Sequence, residues 1–95
     1  MLYAVRYGQD WNDMALFSAE EKAKAKLVAQ TVGYFKYHGT MYPRMVVYEG
    51  NGEAEYKHAG EYVVEEQSMK RMMDLFSTAD LLKSPEVMFE FIVKA

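Results

Sequence analysis

Residues 49–66, EGNGEAEYKHAGEYVVEE, decide the fold. From Glu53 to Glu65 the side chains alternate. Ala54, Tyr56, His58, Gly60, Tyr62 and Val64 fall on one side, and Glu53, Glu55, Lys57, Ala59, Glu61, Val63 and Glu65 on the other. A period of two belongs to a pleated strand, whose successive side chains point to opposite faces. Just before it, Asn51-Gly52 is a strong hairpin signal, because both residues tolerate the positive φ of a tight turn. Arg44–Glu49 is therefore expected to pair antiparallel with this strand. A one-residue slip at the turn would reverse the faces of Val46 and Tyr48, so neither is given a role.

Working outward, Leu2–Tyr7 is rich in aromatic and branched residues and stops at Gly8, which predicts a first strand. A loop with Asp10, Trp11, Asn12 and Asp13 follows. Ser18 and Glu21 have the spacing of a capping box, so a helix is expected from Ala19. Leu27, Val28, Thr31, Val32, Tyr34 and Phe35 form its apolar face, and its end is expected near His38, before Gly39 and Pro43. Downstream, Met69, Met72, Met73 and Phe76 recur at helical spacing, continuing loosely to Leu81 and Leu82. Ser84-Pro85-Glu86 has the look of a helix start, whereas Val87, Phe89, Phe91 and Val93 alternate. Aromatic and branched residues dominate from Val87 to Lys94, which favours a strand.

The order strand-helix-strand-strand-helix-strand predicts one α+β domain over residues 1–95. It would be ferredoxin-like, with a four-stranded antiparallel sheet, two helices on one face and the first strand between the third and fourth. If Tyr3, Val5, Tyr7, Tyr62, Val64, Val87, Phe89 and Phe91 face the helices, then Leu2, Ala4, Arg6, Glu61, Val63, Met88, Glu90 and Ile92 form the other face. That surface is too apolar for open water and too charged for an ordinary core. A homodimer formed through this face, or a ligand on it, is expected to cover it.

Composition narrows the function classes. A net charge of -3 argues against general nucleic-acid binding, which needs a basic surface to displace counterions. Residues 18–48 carry five basic and two acidic side chains, while residues 49–66 carry six acidic ones against Lys57. The absence of cysteine removes disulfides and thiolate chemistry and fits a reducing compartment. No apolar run is long enough to cross a bilayer and MLYAVRYGQD lacks a signal-peptide layout, so a cytoplasmic protein with no membrane partner is expected. His38 and His58 have no ligand-spaced partners, and no cofactor motif is present, so neither metal nor cofactor is expected. GEYVVEE places carboxylates where a ferredoxin-like RNA-binding module needs base-stacking aromatics.

MLYAVRYGQD, FSAEEKA, AGEYVVEEQSMKRMMDLF and STADLLKSPEVMFEFIVKA together resemble small proteins of the dimeric α+β barrel superfamily, among them YCII-related proteins and muconolactone isomerases. The resemblance covers nearly the whole chain in element order. It implies two sheets closed face to face around a small cavity. YCII-related proteins carry an early histidine thought to work with an aspartate; here the histidines are His38 and His58, so no catalytic residue is carried over.

Arg6, Glu61 and Glu90 come from three strands expected to be neighbours and are the candidate catalytic residues. A guanidinium can hold a carboxylate or enolate oxygen while an enclosed carboxylate moves a proton. The competing account is an ion-pair cluster that only supports an interface. Trp11, Val63, Met88 and His58 are the candidate ligand contacts: Trp11 because loops carry function, His58 against the alternative of a hydrogen-bonded core histidine. The expected function is binding of a small, partly apolar, anionic or enolisable molecule, with cofactor-free proton transfer as the accompanying chemistry. The alternative is a non-catalytic interaction module that uses the acidic hairpin 49–66 to bind a basic protein.

Overall fold

Tyr7 N–H donates to the Asp13 carbonyl at 3.0 Å, and this bond closes a hairpin that the sequence pattern does not announce. In the computed structural model, which describes residues 1–8, 10, 12–39, 43–50 and 55–95, the hairpin joins β1 (Leu2–Arg6) to β2 (Met14–Phe17). Its loop is set by Asp10, whose carboxylate accepts from Asn12 N–H at 3.0 Å and whose carbonyl accepts from Asp13 N–H. Gly8 is required here, because a Cβ at that position would overlap the Asp13 carboxylate.

The chain continues as α1 (Glu20–His38), β3 (Arg44–Gly50), β4 (Tyr56–Val64), α2 (Glu66–Leu75), α3 (Thr78–Lys83), a 3-10 helix (Pro85–Phe91) and β5 (Ile92–Lys94). The five strands form one antiparallel sheet in the order β2-β1-β3-β4-β5. β2 and β3 both run antiparallel to β1, so they are parallel to each other, and α1 is the crossover between them with β1 lying in the gap. The fold is thus α+β with helices packed on a sheet, but it departs from the expected four-stranded order. β1 sits between β2 and β3, because β2 occupies the edge that a fourth strand would have taken.

One face of the sheet supplies Tyr3, Val5, Met45, Val47 and Val64 to a core completed by Ala23, Leu27, Val28 and Val32 of α1, Met69 of α2, Leu81 of α3 and Met88 of the 3-10 helix. Thr31, the buried polar residue of α1, donates its hydroxyl to the Leu27 carbonyl at 2.7 Å, so nothing polar is stranded there. The end of α1 matches its sequence signal, with Gly39 in the left-handed conformation at φ 64°. Its start does not. The backbone stays extended through Ala19, which is the N-cap and makes no side-chain cap bond, so Ser18 lies one residue too early. A capping box does occur at Ser77 and Asp80, where it opens α3 and splits the expected second helix in two.

The C-terminal segment overturns a second expectation. Pro85–Phe91 is a 3-10 helix, and only Ile92–Lys94 pairs as a strand. Pro85 at the first turn has its φ already set for a helix and no N–H to strand. Met88 is then carried into the core at 0% exposure.

Candidate functional site

The uncovered face of the sheet carries the predicted site in altered form. Cross-strand partners share a face, so the register assigns its rows directly. Leu16, Ala4, Val46 and Glu61 make one row across four strands; Met14, Arg6 and Arg44 make the next; Leu2, Tyr48 and His58 make a third. Val63 pairs with Val93 on the same side. Ala4 and Val46 are buried even here, sheltered by their neighbours, whereas Leu16 and Val93 are 59% and 40% exposed.

Two cations stand on this face. Arg6 and Arg44 are direct partners across β1 and β3. Arg6 Nε donates to the Gly8 carbonyl at 3.1 Å, which ties its guanidinium to the hairpin loop. Arg44 Nη1 lies 3.8 Å from Glu61 Oε2, on β4. Like charges directly opposite in a ladder are unfavourable, and Glu61, on the far side of Arg44 from β1, offsets part of that cost. Arg44 is the member of this group that sequence reasoning missed. The signal was its place at the first position of a strand paired to β1, but the uncertain hairpin register concealed the face it would take.

Of the three predicted catalytic residues, Arg6 and Glu61 share the uncovered face, separated by β3. Glu90 does not join them: it is exposed on the 3-10 helix, in the helical layer. Met88 is in the core and Ile92 packs against it, so neither lines the face to which the alternating pattern assigned them. Val63 keeps its predicted place. Trp11 and the Asn51-Gly52 turn lie outside the described residues.

His58 is on the uncovered face, not the helix side. The ladder pairs Val47 with Gly60 but Tyr48 with His58, so Ala59 is an extra residue and the alternation reverses below it. His58 is exposed beside the Tyr48 ring, while His38 ends α1 against Tyr34. Among the described residues no three His, Asp or Glu side chains gather closely enough to hold a metal ion, and no helix is long and apolar enough to cross a membrane.

Comparison of the chain with protein-family models, curated proteins and solved structures finds no match, so no family is assigned to it.

Proposed function

We propose that the chain is a binding protein that pairs through its uncovered sheet faces and encloses a small, partly apolar anion between them. The observation that carries the reading is the placement of Arg6 directly opposite Arg44 on that face, bordered by Leu2, Ala4, Val46 and Val63. Paired guanidiniums present a planar, multidentate donor set that suits a carboxylate or an enolate oxygen, and the apolar rows suit a hydrocarbon body. The chemistry within reach of these groups is cofactor-free proton transfer. Glu61 would exchange the proton, and Arg44 beside it would stabilise the charge that develops on oxygen. The resemblance to dimeric α+β barrel proteins supports the pairing of faces.

The test is native mass spectrometry of the purified chain. The expected species is a dimer of the 11.0 kDa chain carrying a small acidic molecule, which Arg44→Met no longer retains. A bare monomer under all conditions removes the reading. The alternative, an interaction module working through hairpin 49–66, draws on the exposed Glu49, Glu55 and Tyr56 at the ends of β3 and β4. A basic partner retained at low salt and released at high salt would support it.

A further inference from the structure

The helix side of the sheet holds a second feature, unconnected with the uncovered face. Positions 20, 24, 27 and 31 form one stripe along α1, and its later members, Leu27 and Thr31, are buried against the sheet. At the start of the helix the same stripe carries Glu20 and Lys24. A charged pair therefore stands over strand surface that apolar side chains would otherwise seal. Beneath it lies a pocket of about 280 Å³, with Tyr3, Met45 and Val47 as floor and Tyr62 and Ile92 as walls.

Gly60 explains why the wall stands open. It pairs with Val47, has no side chain and holds φ at 153°, and the Tyr62 ring folds back along the strand over it. A larger residue there would push the ring away. The charged pair is asymmetric. Lys24 Nζ lies 3.1 Å from Glu20 Oε1, but the Lys24 side chain is 28% exposed against 54% for Glu20, and its ammonium also lies 6.0 Å from the Phe89 ring centroid. Lys24 is thus the inner member of the pair, and an exposed i,i+4 ion pair is weak enough for another carboxylate to displace. Lys24, Tyr3 and Tyr62 each bring a donor, whereas Glu20 is already engaged.

We propose that this pocket binds a small carboxylic acid with a flat or branched apolar body, its carboxylate on Lys24 and its body on Met45 and Val47. The space equals about nine waters' share of liquid volume, room for a single-ring acid.

The test is an NMR titration of the full chain with benzoate, phenylacetate and neutral benzamide. The expected result is saturable shifts at the Val47 and Gly60 amides with both acids, and at least tenfold weaker binding of benzamide. Lys24→Met, which keeps the apolar stem, should weaken the acids at least tenfold, Lys24→Arg should restore most of the affinity, and Glu20→Gln should tighten it. Lys70→Met, at an exposed position of α2 outside the pocket lining, should change nothing. The proposal is overturned if neither acid saturates these amides, if Lys24→Met binds like the parent chain, or if Arg44→Met abolishes binding, which would move the ligand to the uncovered face.

Discussion

Tyr48 and His58 meet edge to face across the β3–β4 ladder, ring centroids 6.0 Å apart and planes at 83°. They do so because Ala59 is an extra residue between two ladder pairs, and the strain of that bulge falls on Gly60 at φ 153°. An L side chain rarely adopts that conformation, and a Cβ there would also lie 3.3 Å from the Tyr62 ring. Gly60→Ala should therefore cost about 1–3 kcal/mol in urea unfolding. Gly33→Ala, inside α1 with open space around the new methyl, should instead stabilise by about 0.5–1 kcal/mol. Equal effects at the two sites would show that the bulge is not strained.

The same bulge marks the limit of what could be read from sequence. The alternation from Gly60 to Val64 identified the helix-facing side correctly, as did Tyr3 and Val5, because burial on one face enforces the period. Below Ala59 the pattern continued unbroken in the sequence while the structure reversed it, since neither Tyr56 nor His58 is buried enough to register the change. β2 was invisible for a related reason: four residues, MALF, hold only two turns of the pleat. Arg6 and Glu61 were legible as members of one face, but not the β3 strand that separates them; Arg44 needed the register, and Glu90 was misplaced by reading Val87–Phe91 as pleated.

That last point is directly measurable. Met88 is fully buried in the core, so Met88→Ala should cost about 2–5 kcal/mol, the range for truncating a buried side chain. Glu90→Gln, two residues on and exposed, should fall within about 0.5 kcal/mol of the parent. Paired chemical denaturation curves check both. Had the segment been a strand, the two residues would share one face and respond alike to changes in that face.

The charge row predicts an asymmetry of another kind. The Arg44–Glu61 pair spans 3.8 Å with side chains 48% and 40% exposed, so it contributes under about 1 kcal/mol after solvent screening. Arg44→Met also removes the repulsion from Arg6 and should leave stability almost unchanged. Glu61→Gln keeps both guanidiniums and loses the carboxylate, so it should be the more destabilising of the two, and its effect should shrink at 1 M salt, where the Debye length is about 3 Å. Melting temperatures at low and high salt decide it; a larger loss from Arg44→Met would contradict the account.

The proposed pairing of sheet faces yields the final prediction. The uncovered face offers Leu2, Ala4, Val46, Val63 and the exposed Leu16 and Val93, an apolar surface interrupted by Arg6, Arg44 and Glu61. A two-fold interface must be self-complementary, and a face holding both guanidiniums and a carboxylate satisfies that condition because each copy can present its Glu61 toward the other's cations. If the copies associate, folding is linked to association, and the melting temperature rises with protein concentration. Val63→Lys introduces an ammonium on this face and should abolish that concentration dependence, yielding a monomer in sedimentation. Val87→Lys, 42% exposed but on the helical side, should leave it intact. Ile92 is unsuitable as a probe, since it packs against the core and its substitution would disturb folding itself. A parent chain that sediments as a monomer throughout the micromolar range, with a melting temperature independent of concentration, would rule out the pairing and leave the uncovered face to another occupant.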